Sequence, residues 1–509
     1  MASNGQPTSL IIAAIASLLF LRALVGLHPH SGQNNYHGSR EAYGGDYEAQ
    51  RHWMELTLHL PMGEWYWYDL EYWGLDYPPL TAYVSYLCGL ASSFLVGPES
   101  VALDESRGFE DPTHKAYMRA TVWILDAVVY FPAVWMIVKR LYPEKYWKWF
   151  WSFVLALAQP ALLLMDHGHF QYNSVSLGFA LLACYYMTKS SFRDCVIGSF
   201  YFCLALNFKQ MTLYYAPAIF FYLLGRCCAG GRWFLRLAAL GATVVSTFAF
   251  LWWPFLYYGP PDTTIVDRLI QVLHRIFPFE RGLFEGKVSN LWCALSVKPL
   301  SIRQRLPQDM QATFALIFTI LLIVPACYKL FCMGRRDRGD ANDQRLLLWG
   351  MASTGLAFFL ASFQVHEKSI LMALAPISLL DDFSSVQWFS IVSTWTLFPL
   401  IQVDRLQVAY FCTLAIFASL SWLSAEGHER TNTASFFDCW ALTKLIVPVS
   451  YVGMAMLHVL EVTIPAPSNL PDLFPVLWSV AGCAMICLAW VITCWHLYQG
   501  ADSNKMKED

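Results

Sequence analysis

The chain is short of charge. Only 14% of its 509 residues are Asp, Glu, Lys or Arg, whereas soluble proteins carry about 25%. Because 56% of the residues are hydrophobic, too little polar surface remains to cover a water-soluble protein of this length. The composition excludes an ordinary soluble domain and predicts a protein embedded in lipid.

Basic blocks are missing as well. The net charge is -3 at pH 7, and no run of Lys and Arg could neutralise a phosphate backbone, which excludes nucleic acid as a partner. The 14 Cys residues are scattered mostly within apolar stretches and show neither metal-ligand nor disulfide-framework spacing. We interpret them as small core residues.

Long apolar stretches are what the chain has instead. A spanning helix needs about 20 largely apolar residues, and fewer where neighbouring helices shield its ends. Fourteen stretches qualify: residues 9–27, 118–138, 147–165, 172–187, 195–206, 212–224, 234–256, 312–330, 346–363, 369–380, 386–401, 406–423, 441–462 and 474–495. A fifteenth, 80–96, follows two prolines and carries Tyr and Ser, which favours an interfacial or re-entrant helix. The sequence predicts an all-α polytopic membrane protein.

The placement of Lys and Arg predicts the orientation, since positively charged short loops stay in the cytoplasm. With a cytosolic amino terminus, most loop cations face the cytosol, and the short loops on the other side carry only Lys209, Lys368 and Arg405. Both termini are then cytosolic, and two long loops, 28–117 and 257–311, lie on the far side. The cytosolic tail, 497–509, contains Lys505 and Lys507, spaced as in a dilysine retrieval signal of the endoplasmic reticulum. An ordinary charged tail is the alternative.

The first long loop combines aromatic and acidic residues. Eight aromatic residues lie from Trp53 to Tyr77, interleaved with or flanked by Asp46, Glu48, Asp69 and Asp76. Aromatic faces cover the apolar C–H faces of sugars, and carboxylates bond their hydroxyls, so this pattern favours a carbohydrate site. An aromatic belt at the membrane interface is the alternative.

Short turns on the same side are also rich in polar groups. They are residues 166–173, 207–210 and 363–368, and the second long loop adds 274–287. Each could be a polar helix cap, but Lys209 and Lys368 lie inside these clusters, as expected for cations that bind an anion. A transporter would carry functional charges within its spans. Asp126 is the clearest central one, and we interpret it as a satisfied interhelical hydrogen-bonding group.

Cations at a membrane surface, facing a carboxylate and aromatic side chains, favour transfer of a sugar from a lipid phosphate. Lys and Arg stabilise the charge that develops on the departing phosphate, and one carboxylate takes the proton of the attacking hydroxyl. In-line attack then inverts the anomeric carbon. The scheme requires no cofactor and no metal, although the sequence leaves open a divalent ion held by Asp46 with Asp166 or Glu48.

Six strings carry a family resemblance: GDYEAQRHW, YWGLDYPPLTAY, DHGHFQYNSVSLG, NFKQM, FPFERGLFEGKVSNLWC and FQVHEKSIL. They resemble the endoplasmic reticulum glucosyltransferases that extend the lipid-linked oligosaccharide of N-glycosylation, and in particular those that add its first glucose. The resemblance implies the GT-C fold over a single domain, 1–509, with the catalytic carboxylate in the first luminal loop. It implies dolichyl phosphate glucose as donor, a dolichyl-pyrophosphate high-mannose oligosaccharide as acceptor, and α-1,3 transfer in the lumen.

Residue roles follow from matching these strings. Asp46 matches the family's proposed catalytic base, and His366 matches a position that we assign to the donor phosphate or leaving group. Charge and side of the membrane add Lys209, Arg281 and Lys368 as phosphate contacts. The residues expected near the sugars and the acceptor are Glu48, His52, Trp53, Asp76 and His169.

Two alternatives remain at this point. The sister enzyme that adds the second glucose has a loop string more like GLCHAYWAPNFW, where this chain has GLFEGKV. This chain has Gly286 where the family usually has Asp, so it lacks a carboxylate at that position. From a different class, a polytopic transporter or lipid scramblase shares the same composition. The oligomeric state does not follow from the sequence.

Overall fold

The computed structural model describes residues 8–33, 44–277, 288–380, 382–427, 436–439 and 441–502. Over these residues every regular element is a helix, and no strand forms. This confirms the all-α prediction. The reason is the apolar surroundings, in which a helix satisfies every backbone hydrogen bond within one segment.

The α-helices are numbered in chain order. Those of the first half are α1 Thr8–Gly26, α2 Asp46–His59, α3 Pro79–Leu95, α4 Pro112–Leu125, α5 Phe131–Leu141, α6 Tyr146–Leu157, α7 Pro160–Leu163, α8 Asn173–Met187, α9 Phe192–Phe208, α10 Ala216–Cys228, α11 Trp233–Tyr257 and α12 Ile265–Ile276. Those of the second half are α13 Leu291–Leu295, α14 Ile302–Arg305, α15 Gln308–Gly334, α16 Ala341–Ala361, α17 Leu371–Ile377, α18 Phe383–Thr396, α19 Phe398–Val403, α20 Gln407–Gly427, α21 Phe436–Cys439, α22 Ala441–Thr463 and α23 Leu473–Asp502.

Two π-helical segments interrupt the bundle. Asp126–Tyr130 joins α4 to α5, and Leu164–Phe170 continues α7. A π-helical turn widens the helix and redirects the side chains on it, and such turns are frequent at functional sites. The second segment carries Asp166, His167 and His169, which the sequence analysis had grouped in one turn.

Eight helices or continuous helix runs in the described residues are long and apolar enough to cross a membrane. They are Thr8–Gly26, Pro112–Leu141, Tyr146–Phe170, Trp233–Tyr257, Met310–Gly334, Gln407–Ala425, Lys444–Thr463 and Leu473–Gln499. The protein is therefore a multi-pass membrane protein. The other stretches in the predicted set of fourteen are also helical, but they are shorter, interrupted or more polar.

Burial explains why these remaining helices need less hydropathy. Most of α16 is covered by other helices, including the polar side chains of Asp343 and Gln344, and α8 buries Asn173, Ser174 and Ser176. A helix surrounded by protein meets few lipid chains, so polar residues with partners are tolerated on it. A hydropathy threshold alone therefore undercounts helices that are buried among other helices.

The stretch at 80–96 forms α3, which is shorter than the eight spanning helices. One face packs on α2 so closely that a Cβ on Gly89 would lie 2.7 Å from the Met54 carbonyl oxygen. The opposite face exposes Leu87, Leu90 and Phe94. A helix with one apolar exposed face suits the predicted interfacial position.

The aromatic run of the first long loop has a mainly structural role. Trp65 and Tyr66 are buried with Trp252 and Phe255 of α11 and Ile276 of α12 in one cluster. For Trp65 and Tyr66 this packing is a core contact rather than a sugar platform. Aromatic side chains bury large areas, and here that area attaches the loop to the membrane helices.

A buried ion pair joins the first helix to the bundle. Arg22 Nε donates to Asp126 Oδ2 at 2.5 Å, and His167 Nε2 lies 2.9 Å from the same oxygen. Arg22 also donates to the Leu157 carbonyl oxygen at 3.0 Å. Asp126 is thus an interhelical hydrogen-bonding group, as interpreted from the sequence, with Oδ2 bonded twice and Oδ1 buried without a hydrogen-bond partner.

Helices α10 and α15 approach each other through two glycines. A Cβ on Gly225 would lie 2.3 Å from the Phe331 carbonyl oxygen, and one on Gly334 would lie 2.2 Å from that of Tyr222. Small residues at such crossings let the backbones meet in a membrane bundle.

We expect Gly225→Val to destabilise the folded protein by about 1–3 kcal/mol, because the added side chain must push α10 and α15 apart. Thermal unfolding of the protein in lipid nanodiscs measures this. Gly241→Val in α11 is the matched control, since a Cβ there meets nothing within 4 Å. Equal melting temperatures for the two variants would contradict the close crossing.

Candidate active site

Asp46 is the first residue of α2, at a point where two segments cross. A Cβ on Gly45 would lie 2.7 Å from the Gly32 nitrogen, so only glycine fits there. The Asp46 amide donates to the Ser31 hydroxyl at 3.3 Å. The crossing positions the start of α2, and a carboxylate in this first turn is favoured by the helix dipole.

Three side chains from two distant parts of the chain meet the same oxygen of Asp46. Lys368 Nζ lies 2.5 Å from Oδ2, His169 Nε2 lies 2.8 Å from it, and the Gln171 side-chain amide also donates to it. None of these donors uses Oδ1. The Asp46 side chain is 27% exposed, so a substrate hydroxyl can reach it.

These contacts determine the charge of Asp46. Burial by itself would raise its pKa, but the Lys368 ammonium group and His169 more than offset this effect and hold the pKa well below the usual value for an aspartate. Asp46 is therefore ionised at neutral pH and can accept a proton.

His169 lies on the π-helical segment and is bonded at both ring nitrogens. Nε2 faces Asp46, and Nδ1 is in hydrogen-bond contact with Asp404 Oδ2. Arg119 supports this segment by donating to the carbonyl oxygens of His167 at 2.6 Å and Gly168 at 3.0 Å. The ring is thus fixed from several sides.

Lys209 is a buried lysine at the end of α9. Nζ donates to Gln171 Oε1 at 2.7 Å and to Asn173 Oδ1 at 2.5 Å, and it lies 5.2 Å from the centre of the Tyr77 ring. Burial, helped by the nearby Lys368 charge, lowers the pKa of Lys209 to about 7 against the opposing effect of Asp166 and other carboxylates.

A cavity of about 360 Å³ opens beside these groups. Of the predicted site residues, Asp46, Trp53, Asp76, Lys209, His366 and Lys368 line it. Of the aromatic run, Trp53, Trp73 and Tyr77 reach the cavity. Trp53 is held by its indole N–H, which donates to the Trp73 carbonyl oxygen at 2.9 Å. His366 is exposed at the rim, just before a helical turn at Glu367–Ile370.

Glu48 and His52 do not line the cavity, contrary to the expectation that they contact sugar. Arg51 Nη2 lies 2.5 Å from Glu48 Oε1, and the Tyr72 hydroxyl donates to that oxygen at 3.0 Å. His52 is completely buried next to Glu55, with Nδ1 3.4 Å from Glu55 Oε2. Both residues lie on the packed side of α2, a different face of the helix from the one that presents Asp46 and Trp53 to the cavity.

Arg281 lies outside the described residues, as does Gly286. The structure therefore gives no position for the third predicted phosphate contact. His169 touches Asp46, but it is not among the residues that line the cavity.

The structure adds residues that the sequence analysis did not select. They are Gln171 and Asn173, which bond Lys209; Arg275 and Gln210, which line the cavity; and Asp404, which bonds His169. Gln171 and Asn173 already stood in a predicted turn. Asp404 precedes Arg405, which had been noted only for its charge.

No group of three or more His, Cys, Asp or Glu that could hold a metal ion occurs within the described part of the chain. Asp166, one of the ligands considered from the sequence, instead accepts from the backbone N–H groups of Asn173 at 3.1 Å and Ser174 at 2.7 Å. Glu48, another, is paired with Arg51.

Comparison with known proteins adds to this geometry. The sequence model of the ALG6, ALG8 glycosyltransferase family matches residues 18–493. The chain belongs to this family. Its relatives include a Schizosaccharomyces pombe protein named probable dolichyl pyrophosphate Man9GlcNAc2 alpha-1,3-glucosyltransferase, 40% identical over 91% of this chain and 87% of that protein.

Two further relatives bear the same name without "probable". The Gallus gallus protein is 39% identical over 93% of this chain and 94% of its own length. The Saccharomyces cerevisiae protein is 36% identical over 96% of this chain and 91% of its own. The family resemblance described from the sequence strings is thus confirmed, and this glycosyltransferase family member is similar to them over most of its length.

We expect Lys368→Met to move the acid limb of the pH profile of glycosyl transfer to higher pH. Asp46 would lose its nearest cation, its pKa would rise, and it would be protonated over a wider acid range. Lys368→Arg keeps the charge and serves as the control. An unchanged acid limb in Lys368→Met would contradict the pairing as the cause of the low pKa.

Proposed function

We propose that the protein transfers glucose from dolichyl phosphate glucose, with inversion, to the dolichyl-pyrophosphate-linked high-mannose oligosaccharide. The product linkage is α-1,3, and the glucose is the first one added for protein N-glycosylation. The observation that carries this proposal is an ionised Asp46 in a cavity that Lys209, Lys368 and His366 also line. The names of the relatives, which match over most of their length, support the acceptor and the α-1,3 glucosyl transfer but do not name the donor.

Asp46 is the base in this proposal. As the acceptor hydroxyl oxygen forms a bond to the anomeric carbon of glucose, its O–H bond breaks and Asp46 takes the proton. The bond from the anomeric carbon to the phosphate oxygen breaks on the opposite face, and its electron pair leaves with the phosphate. One carboxylate with in-line attack is the arrangement of an inverting transferase.

The cations act on the departing phosphate. Phosphate is a good leaving group that gains negative charge in the transition state, so fixed ammonium groups stabilise it without donating a proton. Lys209 and Lys368 flank the cavity, and His366 at the rim can reach a lipid phosphate entering from the membrane surface. Arg281 belongs to the same proposed set by its charge and its position in the second long loop.

The aromatic lining and Asp76 are proposed to hold the sugars. Trp53 and Tyr77 pack with ring centres 4.8 Å apart, and Asp76 offers a carboxylate nearby in the cavity lining. Glu48 and His52 receive a different role from the one expected, since their contacts stabilise α2 beneath the cavity.

The proposed architecture is the GT-C fold as a single domain, 1–509, with about fourteen crossings of the endoplasmic reticulum membrane. All fourteen predicted stretches contain helix, which supports this number. The loops 28–117 and 257–311 would be luminal, both termini and the tail 497–509 cytosolic, and the active site luminal. The helices α12 and α13 lie within the second loop.

We expect Asp46→Asn to lower glucose transfer by at least about 100-fold, because the amide cannot take the acceptor proton. The assay uses microsomes, labelled dolichyl phosphate glucose and lipid-linked oligosaccharide. Asp262→Asn, an exposed position between α11 and α12, is the matched control and retains transfer. Near-normal transfer by folded Asp46→Asn would refute the role of Asp46 as base. If the labelled lipid crosses from one leaflet to the other and no glucose is transferred, a transporter or scramblase would be favoured.

We expect kcat/KM for the donor to fall as pH rises through about 7. A lysine is cationic below its pKa, and burial lowers the pKa of Lys209 to about 7, so the free enzyme loses this phosphate contact above that value. Lys209→Arg keeps its charge and is expected to flatten this limb. A wild-type profile that stays flat to pH 9 would argue against Lys209 as a phosphate contact.

A further inference from the structure

The contact between His169 and Asp404 is not used by the mechanism above. Asp404 lies in the turn between α19 and α20 and is buried, with a side chain only 3% exposed. It is 235 positions from His169 along the chain. A buried carboxylate requires a partner, and His169 Nδ1 is the partner that the turn presents to it.

Carboxylates flank both nitrogens of the His169 ring. Asp404 Oδ2 contacts Nδ1, and Asp46 Oδ2 lies 2.8 Å from Nε2. A neutral imidazole carries one N–H and can donate to only one carboxylate, whereas an imidazolium donates to both. Contacts with two carboxylates match the protonated ring, whereas a neutral ring would donate from Nδ1 to Asp404 and accept from Lys368 at Nε2.

Charge balance leads to the same conclusion. Lys368 Nζ lies 2.9 Å from His169 Nε2 and 2.5 Å from Asp46 Oδ2. Asp46 alone would face two cations, and their repulsion would favour a neutral ring. Asp404 supplies the second anion, so two carboxylates balance the two cations, and Lys368 and His169 lie side by side on Asp46 Oδ2.

The other charged groups around the ring come from the elements packed against it. Arg119 of α4 supports the π-helical segment from one side and interacts electrostatically with Asp404. Lys209 at the end of α9 reaches the cluster through Gln171. Asp166, on the same segment as His169, accepts from the amides of α8, and His167 is paired with Asp126.

We propose that Asp404 is a positioning residue that holds the His169 ring between two carboxylates as an imidazolium, whose Nε2–H keeps Asp46 ionised and oriented for catalysis. The effect on catalysis rests on the proposed function, because it acts on Asp46 as the base. Asp404 is not among the residues that line the cavity, and it acts through His169.

The test is a double-mutant cycle of Asp404→Asn and His169→Gln, with transfer measured as a function of pH. We expect Asp404→Asn to lower kcat on the order of 10-fold with little change in the KM for the donor. The acid limb moves to higher pH, since Asp46 loses a cationic donor. His169→Gln shifts the limb in the same direction, and the double variant loses no more than His169→Gln, because Asp404 acts only through the ring.

Asp382→Asn is the matched control. Asp382 is also a buried aspartate bonded to a histidine, with His496 Nε2 at 2.7 Å, and neither residue lines the active-site cavity. It is expected to leave the pH profile unchanged. A wild-type acid limb in folded Asp404→Asn, or losses in the double variant that multiply, would overturn the proposal.

A second measurement is independent of transfer. Nitrogen NMR of protein labelled at histidine is expected to show both ring nitrogens of His169 protonated at neutral pH, with the signal identified by its absence in His169→Gln. A neutral ring in the wild type overturns the proposal even if Asp404→Asn fails to fold. If the wild type transfers no glucose, the proposed function fails, and the NMR result still decides the charge of the ring.

Discussion

The ionic contact between Asp46 and Lys368 is the interaction on which the rest of the site depends. It joins the start of α2 to the turn before α17, two segments that are 322 positions apart. Partly buried charges of opposite sign hold each other in place because each would be costly alone. His169 and Gln171 complete the set of partners on the same oxygen, so one carboxylate positions three side chains.

The π-helical segment connects this site to the membrane-embedded core. His167 and His169 are two positions apart, yet His167 contacts Asp126 and His169 contacts Asp46. Residues two positions apart point to different sides of a helix, and here those two sides face Asp126 and Asp46. Arg119 bonds the carbonyl oxygens between them. The Arg22–Asp126 pair and the active-site cluster are thus connected through one segment.

In the first long loop, some residues of α2 line the cavity and others hold the loop together. On α2, Asp46 and Trp53 face the cavity, whereas Arg51 lies between Glu48 and Glu55 in a buried network. Tyr72 and Ser106 extend that network across the loop. The network connects α2 to the loop segments that flank α3, and it holds in place the helix that carries Asp46.

The sequence by itself determined that the protein is embedded in lipid and that it is helical, because low charge and long apolar stretches are properties of the local sequence. It also identified Asp46, Lys209 and Lys368, because cations and carboxylates stand out where apolar helices end. The tertiary structure alone decided which side of α2 faces the cavity and therefore separated Trp53 from Glu48 and His52. It alone brought Asp404 to His169, since contacts between distant residues depend on how whole helices pack, and no local pattern around Asp404 encodes its partner.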